Sequence, residues 1–501
     1  MADFDLAVVG GGINGVGIAR DAAGRGIRVL LVEQNDLASG TSSASTKLMH
    51  GGLRDLERGA MRLVHEALGE RELLLRLAPH LVRPLRFVLP YHDEMRPAWQ
   101  LRLGLFVYDR LGGRKILPRT RVLDLTHGAV AAPLRRRYRL GFEYSDCQVD
   151  DSRLVVLNAV DAAERGAVIR TRTRLARADR QDGIWRLTLN ARGNREIVTA
   201  RVLVNASGPW VARVADQVLR LPADIPLRLV KGSHVVVRRL FDHDRAYIFQ
   251  NRDGRVVFAI PYQRDFTLIG TTEEVHDAEP DAVAVSPGDI TYLCGATTSY
   301  LRDPVEVGMV EWAFAGVRPL RGDAAAKAKD VSRDDLLVLD APYREAPLLT
   351  VYGGKITTYR RLAEAALARI ANFFVAGPAW TRDASLPGGE FPWDGVAALV
   401  ARARGLWRFL DEAWAARLVA AYGTRIGRVV GEARSADELG PRFGADLTAA
   451  EVRYLMRHEW AQTAADILWR RSKLGLRFRP EEQAALARFM EDARNRRAAA
   501  E

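Results

Sequence analysis

Residues 4–33 read FDLAVVGGGINGVGIARDAAGRGIRVLLVE and carry the clearest structural signal in the chain. The apolar run at 4–9 suits a strand of a parallel sheet, because such strands are buried on both faces. A glycine-rich turn follows, then a helical stretch that ends near Gly24, and a second apolar run at 28–32. This order of strand, turn, helix and strand predicts a complete βαβ unit.

The turn inside this unit has the spacing Gly10-x-Gly12-x-x-Gly15. In a phosphate-binding turn the first glycine permits the tight bend, the second lets the backbone approach a pyrophosphate, and the third lets the helix pack closely on the strand. The helix would direct its unpaired amides and positive dipole end toward the phosphates. Glu33 comes 18 residues after Gly15, at the end of the second strand, where a carboxylate accepts hydrogen bonds from ribose hydroxyls. The unit therefore predicts a dinucleotide-binding site.

Three later segments indicate which dinucleotide binds, since the glycine turn fits NAD and FAD equally. SGTSSASTK (39–47) is interpreted as a loop whose hydroxyls and amides bind the pyrophosphate and ribityl chain of FAD, with a flexible linker as the alternative. NASGPW (205–210) and YGGKITTYR (352–360) suit a large cofactor that distant segments enclose. We therefore expect FAD, bound without a covalent link. The residues expected to contact it are Gly10, Gly12, Asn14, Gly15, Glu33, Thr41, Ser42, Ser45, Lys47, Gly51, Gly52, Ser207, Gly208, Trp210, Gly354 and Thr357.

A change of composition at LPGGEFP (386–392) indicates a linker between domains. The chain beyond it has helical periodicity almost throughout, whereas residues 227–275 are rich in candidate strands. The fold class is therefore predicted as α/β with three parts. They are a discontinuous FAD-binding domain at 1–80, 145–225 and 305–385, an inserted β-rich substrate or cap domain at 81–144 and 226–304, and a C-terminal helical domain at 388–501.

The composition is that of a folded globular protein with two or three domains: 501 residues, 48% hydrophobic and 27% charged. The formal net charge of +12 suits an anionic partner, which net charge alone does not identify. The basic residues are scattered, and the one pure block, Arg135 to Arg137, is expected in a solvated loop. Because no recognisable nucleic-acid module accompanies the charge, nucleic acid is not expected as a partner.

The location of the protein is expected to be intracellular. No uncharged apolar run approaches the roughly 18 residues of a membrane span, and Asp3 and Asp5 stand where a signal peptide would be basic. The two cysteines, Cys147 and Cys294, lie far apart without spaced partners. Neither a disulfide framework nor a metal site is therefore expected.

Seven segments form a pattern in chain order: VVGGGINGVGIARDAAGRG, SSASTKLMHGGLRDLE, GFEYSDCQVDDSRLV, VNASGPW, KGSHVVV, GVRPL and YGGKITTYRRLAE. With HEWAQTAADILWRRSKLGL (458–476), they resemble the FAD-dependent, quinone-linked glycerol-3-phosphate dehydrogenases from residue 4 to about residue 480. KLMHGGLR, VKGSH and YGGKITTYR are the specific segments. The resemblance implies a Rossmann-like FAD-binding domain of the D-amino-acid-oxidase/glutathione-reductase type. It also implies oxidation of sn-glycerol 3-phosphate to dihydroxyacetone phosphate, with hydride transfer to FAD and onward electron transfer to a membrane quinone.

The substrate site is expected to combine cations with histidine. Arginine and lysine suit a phosphate with nearly two negative charges, and the resemblance makes Arg54, Arg318 and Lys355 its ligands, the last two also catalytic. Histidine is the natural base near neutral pH. His234 is expected as base or hydroxyl orienter, and His50 as base or flavin contact.

Position 55 departs from the family pattern. The family usually has a tyrosine after the arginine of HGGLR, whereas this chain has Asp55. A carboxylate beside an anion site should weaken phosphate binding. The resemblance therefore predicts the substrate less directly than it predicts the fold.

Three alternatives are compatible with these observations: an oxygen-using glycerol-3-phosphate oxidase, another flavin-dependent amine or hydroxy-acid oxidoreductase of the same fold, and a non-catalytic flavin or nucleic-acid binder. A quinone is lipid-soluble, so we expect the enzyme to bind peripherally to the anionic inner face of the cytoplasmic membrane. Residues 96–115 and 469–479 mix basic with aromatic and aliphatic side chains and are the candidate contacts. The oligomeric state is left open, with a homodimer as one option.

Overall fold

The computed structural model describes residues 2–57, 59–112, 116–222, 225–322 and 334–498. Within these ranges the strands form two large sheets and a two-stranded ribbon. The strands are β1 (Phe4–Val9), β2 (Val29–Val32), β3 (Leu48–Met49), β4 (Val82–Pro90), β5 (Arg121–Asp124), β6 (Leu140–Val149), β7 (Val168–Arg170), β8 (Thr173–Gln181), β9 (Ile184–Ala191), β10 (Asn194–Asn205), β11 (Leu227–Arg238), β12 (Ala246–Gln250), β13 (Val256–Tyr262), β14 (Phe266–Gly270), β15 (Glu274–Val275), β16 (Val310–Arg321), β17 (Leu336–Asp340), β18 (Leu348–Tyr352), β19 (Arg442–Gly444) and β20 (Leu447–Thr448). The α-helices are α1 (Ile13–Gly24), α2 (Leu53–Glu57), α3 (Met61–Leu77), α4 (Ala98–Leu111), α5 (Asp151–Glu164), α6 (Val211–Arg213), α7 (Pro287–Thr298), α8 (Tyr359–Arg369), α9 (Val396–Leu406), α10 (Glu412–Tyr422), α11 (Gly427–Val430), α12 (Ala449–His458) and α13 (Pro480–Ala498).

The first sheet contains the predicted βαβ unit. Its order is β17-β18-β10-β1-β2-β7, and the strands from β18 to β7 run parallel. Leu6 and Val8 of β1 pack on the side of helices α1, α5 and α8, while Ala7 and Val9 pack on the other face beneath β8 and β9. Both faces of β1 are covered from Leu6 to Val9, which explains why this part of the strand is apolar, whereas Asp5 near its start pairs with Arg28.

The second sheet builds the other wall of the molecule. Its order is β15-β11-β14-β13-β12-β4-β6-β3, with β16 paired to β11 and β5 to β6. The apolar run VVFAIPY (256–262) forms β13, as its composition predicts. Strand β16 lies within the range expected for the FAD-binding domain, yet it pairs antiparallel with β11, where Arg318 stands opposite Val230. The predicted domain boundaries stay a prediction.

The C-terminal part is helical, with its own apolar core of residues between Ala403 and Met490. Buried ion pairs fix it to the first sheet: Arg153 of α5 to Glu459, and Arg471 to Asp36 at 2.6 Å. Removing one partner of such a pair leaves an uncompensated buried charge, which is strongly destabilising. These ion pairs therefore oppose separation of the C-terminal part from the first sheet. The predicted fold class, α/β with a C-terminal helical domain, is confirmed.

Candidate active site

A cavity of about 760 Å³ opens beyond the carboxyl ends of β1, β2 and β10 in the first sheet. Parallel sheets bind ligands at this edge, because the loops and helix N-termini converge there. The walls include fourteen of the predicted site residues: Gly10, Gly12, Asn14, Glu33, Thr41, Ser42, His50, Ser207, Gly208, Trp210, Arg318, Gly354, Lys355 and Thr357.

The glycine turn at the end of β1 brings backbone against backbone. Gly10 has φ +113°, and a Cβ there would lie 2.5 Å from the carbonyl oxygen of Ala206. A Cβ on Gly15 would lie 1.9 Å from the carbonyl oxygen of Gly10, so no side chain fits between helix α1 and the turn. Gly10 and Gly12 line the cavity, whereas Gly15 sits outside it and permits the helix to pack.

Glu33 holds the end of β2 in place beside the turn. Its Oε2 accepts a hydrogen bond from the Gly11 amide at 2.7 Å, and its Oε1 accepts one from the Asn35 amide at 2.7 Å. Burial raises the pKa of this carboxyl group, although both amides counteract the shift. Each carboxylate oxygen has a second lone pair, so Glu33 can still accept from the hydroxyls of a ribose.

Residues 353–354, directly after β18, contact Asn14 in the first turn of helix α1. Gly353 and Gly354 have φ +73° and +98°, and a Cβ on Gly354 would lie 2.7 Å from the amide nitrogen of the Asn14 side chain. Asn14 Nδ2 donates to the Gly353 carbonyl at 3.0 Å, while its Oδ1 is buried without a hydrogen-bond partner among the described residues. A buried acceptor that faces a cavity calls for a donor from a ligand. The residues present therefore fit the predicted FAD.

The loop that contains Thr41 and Ser42 closes one side of the cavity. Thr41 Oγ1 donates to the Val317 carbonyl at 2.6 Å, and Ser42 Oγ accepts from the Ile13 amide in the first turn of α1 at 3.0 Å. The hydroxyls thus tie the loop to strand β16 and to the helix. This is the region that the sequence predicts to enclose the cofactor.

Four predicted cofactor residues lie behind that wall. Lys47 Nζ contacts both carboxylate oxygens of Asp151 at 2.9 Å, and Ser45 Oγ donates to the same carboxylate at 2.7 Å. The Gly51 amide donates to the Tyr108 hydroxyl at 2.7 Å. These residues and Gly52 do not line the cavity. In this structure they support the loop from behind, and contact with FAD stays a prediction for them.

At the other end of the cavity, cationic and anionic side chains meet. Lys355 Nζ lies 2.7 Å from Oδ2 of Asp55, whose residue surface is 5% exposed. Arg318 of β16 lines the same cavity. The residue that departs from the family pattern therefore contacts a predicted phosphate ligand. The side chain of Arg54, the third predicted ligand, lies outside the described residues.

The two candidate histidines occupy different positions. His50 lines the cavity, and its Nδ1 accepts a hydrogen bond from the Gly52 amide at 3.1 Å, so the neutral ring carries its proton on Nε2. His234 is buried outside the lining, with Nε2 2.9 Å from Thr46 Oγ1 and its ring stacked on Phe314 at 4.8 Å. Burial holds the pKa of His234 well below its usual range, and the nearby charges of Lys47 and Arg318 lower it further.

Sequence patterns missed several residues of the wall. Arg213 Nη1 lies 2.7 Å from Asp281, which also accepts from Trp210 Nε1 at 3.0 Å. Arg213 stands one helical turn after the predicted Trp210, a spacing that signals a shared face. Asp281 comes from a distant loop that carries no such signal.

Two family models match the chain: FAD dependent oxidoreductase over residues 5–360, and the C-terminal domain of alpha-glycerophosphate oxidase over residues 379–496. A glycerol-3-phosphate dehydrogenase of Pseudomonas aeruginosa is 50% identical, covering 97% of this chain and 95% of the relative. A D-erythritol 1-phosphate dehydrogenase of Brucella abortus is 47% identical, covering 98% of both. The crystal structure of a Bacillus halodurans glycerol-3-phosphate dehydrogenase with FAD is similar at a TM-score of 0.73 and 26% identity, covering 98% of this chain and 89% of the other.

Proposed function

We propose that this chain, which belongs to the FAD-dependent glycerol-3-phosphate dehydrogenase family, oxidises sn-glycerol 3-phosphate to dihydroxyacetone phosphate and passes the electrons to a membrane quinone. FAD is its cofactor, and when bound it accepts the hydride from the substrate carbon. One observation carries the proposal: Arg318, Lys355 and His50 line the same cavity as Gly10 and Gly12. The predicted phosphate ligands and the dinucleotide turn therefore line one cavity.

The two cations of the cavity hold the substrate in this proposal. Arg318 offers a planar fork of donors to the phosphate, and Lys355 offers a point charge. Lys355 also stabilises negative charge that develops on the alcohol oxygen, since a fixed charge acts more strongly in a site that excludes water. Its ion pair with Asp55 keeps the ammonium group in position at 2.7 Å.

In this proposal the two histidines interact with the hydroxyl group of the substrate. His50 presents Nε2–H as a donor that orients the alcohol, because its Nδ1 is held by the Gly52 amide. His234 acts through the Thr46 hydroxyl, which lies 2.9 Å from its Nε2. The lowered pKa of His234 keeps the ring neutral and makes it a weak proton acceptor, so in this proposal His234 orients the substrate hydroxyl through Thr46.

Anaerobic reduction of the flavin tests the reaction. Glycerol 3-phosphate should bleach the yellow holoenzyme, because the alcohol loses two electrons and two protons when it becomes a ketone. Reoxidation by a soluble quinone analogue should then be much faster than by oxygen. Retained colour with glycerol 3-phosphate would refute the dehydrogenase assignment, and fast reoxidation by oxygen alone would favour the oxidase alternative.

Asp55 favours a second candidate substrate, a longer polyol phosphate. The carboxylate offsets the charge of Lys355, and it can accept hydrogen bonds from hydroxyls that glycerol 3-phosphate lacks. The relative from Brucella abortus, 47% identical, is named for D-erythritol 1-phosphate. A direct comparison of kcat/KM for the two phosphates decides between them.

Peripheral membrane binding is the remaining part of the proposal. None of the helices in the described ranges is long and apolar enough to cross a membrane. Helix α4, inside the predicted stretch 96–115, exposes Trp99 by 65%, Leu103 by 54% and Phe106 by 50%, beside the exposed Arg102 and Arg110. Residues 113–115 lie outside the described residues. Exposed aromatic and basic side chains on one helix are typical of a membrane interface.

In the other predicted stretch, 469–479, two of the side chains that could contact a membrane instead pack within the protein. Trp469 stacks on Trp312 with ring centroids 4.5 Å apart, and Arg471 is buried against Asp36. The proposal therefore rests on α4.

Sedimentation with phosphatidylglycerol liposomes tests the membrane contact. Binding should weaken with salt, since each basic residue near an anionic surface contributes about 1 kcal/mol. Replacing Trp99 and Phe106 together by serine should release the protein from the liposomes. Tyr343→Ser is the matched control, because Tyr343 is 86% exposed elsewhere on the surface. Equal binding by both variants would exclude α4 as the contact.

A further inference from the structure

A second cavity, of about 670 Å³, lies where the second sheet meets the C-terminal domain. Its walls come from the start of β4, from the turn between β13 and β14, and from C-terminal residues at 413–421 and 471–477. In the part of the chain that the structure describes, it shares no lining residue with the cofactor cavity. The proposed reaction makes no use of it.

The charges around this cavity are unequal. Seven cations line it: Lys47, Arg83, Arg264, Arg417, Arg471, Lys473 and Arg477. The four carboxylates that line it are all in ion pairs: Asp446 with Arg417 at 2.6 Å, Asp265 with Arg477 at 2.5 Å, Asp150 with Lys473 at 3.5 Å, and Asp244 with Arg245 at 2.9 Å. Lys47 and Arg471 are also paired, with Asp151 and Asp36, which lie outside the lining. The positive charge that remains is that of Arg83 and Arg264.

Two arginines carry that excess. Arg83 donates only a long hydrogen bond of 3.4 Å to the His80 carbonyl, and Arg264 takes part only through its backbone carbonyl. No carboxylate of the described residues lies within 4.0 Å of either guanidinium group, and both side chains remain exposed. Each offers up to five N–H donors in a geometry that matches phosphate.

Tyr262 provides an independent sign of a missing ligand. The residue is 3% exposed and lines the cavity, yet its hydroxyl has no hydrogen-bond partner among the described residues. Burial raises its pKa well above the usual range, so the hydroxyl stays protonated and can donate. A buried donor without an acceptor is costly, and native proteins seldom tolerate one without a reason.

We propose that this cavity binds a phosphate-bearing anion, with Arg83, Arg264 and the Tyr262 hydroxyl as its donors. The volume lies within the range of about 300–1,000 Å³ that small-molecule sites occupy. The bound anion joins the C-terminal domain to the second sheet. Either a soluble phosphate ester or a lipid headgroup supplies this chemistry.

Calorimetric titration of the FAD-loaded enzyme with inorganic pyrophosphate tests the site. The titration uses the Arg318→Ala background, in which the phosphate ligands of the active site are weakened. We expect one equivalent of pyrophosphate to bind. Adding Arg83→Gln and Arg264→Gln should weaken this binding by more than about tenfold. Adding Arg136→Gln instead, at an exposed arginine outside the cavity, should leave it unchanged.

Tyr262→Phe separates ligand binding from folding. Loss of an unpaired buried hydroxyl should not lower the Tm of the ligand-free protein, whereas pyrophosphate affinity should fall by about three- to tenfold. Phosphatidylglycerol vesicles form the second arm, with phosphatidylcholine vesicles as the blank. Binding of either probe that depends on Arg83 and Arg264 supports the site and identifies whether its anion is a soluble phosphate ester or a lipid headgroup. Binding of neither probe, or equal binding by the doubly substituted protein and its Arg136→Gln control, would overturn it.

Discussion

The two ends of the cofactor cavity are built from different parts of the chain. At the nucleotide end the walls are backbone: Gly10 lies against Ala206, and Gly15 against Gly10, at distances that admit no Cβ. At the substrate end the walls are side chains, with Lys355 paired to Asp55 and Arg318 beside them. The backbone end therefore admits no side chain at Gly10 or Gly15, while at the side-chain end we expect substitutions to change the chemistry before they change the fold.

This difference separates cofactor binding from substrate choice. Every member that binds the same dinucleotide needs the same close approach of backbone to phosphate. Substrates that differ by a hydroxyl group need only a different side chain at the other end. We therefore expect a single exchange such as the one at position 55 to change the preferred substrate while FAD binding persists.

The largest effect is expected from Gly15→Ala. Its Cβ would lie 1.9 Å from the Gly10 carbonyl oxygen, so the helix must move away from the turn. We expect FAD binding to weaken by roughly 3 kcal/mol or more, over about 100-fold in Kd. The ratio of flavin to protein absorbance after gel filtration measures this.

Gly69→Ala is the control for that experiment, because a Cβ at Gly69 meets no atom within 4 Å and the residue lies within helix α3. This variant should stay yellow. A yellow Gly15→Ala protein would show that the backbone end can accommodate a Cβ at this position.

The flavin is expected to be bound without a covalent link. Acid precipitation of the wild-type protein should therefore release it into the supernatant.

The next effect is expected at the substrate end. Arg318→Ala and Lys355→Ala should each lower kcat/KM for the phosphate substrate by about 2–4 kcal/mol, or tens- to several-hundred-fold, with FAD still bound. Steady-state kinetics and flavin content together measure this. Arg136→Ala, at an exposed arginine, is the matched control. Wild-type kinetics in both variants would remove these residues from the substrate site.

The smallest effect is expected for Asp55→Asn, which keeps the shape of the side chain and removes its charge. Lys355 then interacts more strongly with phosphate, and a longer polyol loses a charged acceptor. The ratio of kcat/KM for glycerol 3-phosphate over D-erythritol 1-phosphate should rise by about tenfold. Combining Asp55→Asn with Lys355→Ala gives a double-mutant cycle. If the effects of the two substitutions on this kcat/KM ratio are additive, the ion pair does not set specificity.

Local patterns predicted the elements that build the nucleotide end. β1 spans the predicted run 4–9, which is apolar apart from Asp5, and β13 spans the apolar run 256–262. The glycine spacing and Glu33 also occupy the predicted places. Lys47 and Ser45 bind Asp151 of α5 and do not line the cavity, so their contact with FAD stays a prediction. Which side of a loop faces a ligand depends on what packs behind it, and periodicity does not report this.

The amino-acid sequence by itself determined the dinucleotide turn, since its three glycines and their strand and helix lie within one short segment whose steric limits act locally. It also determined the family, through motifs spread along nearly the whole chain. Only the tertiary structure decided the partners at the substrate end. Lys355 and Asp55 are 300 positions apart, and the contact forms because the segment after β18, which carries Lys355, meets helix α2, which carries Asp55, at the cofactor cavity. Long-range contacts of this kind depend on how sheets pack, and no local spacing encodes them.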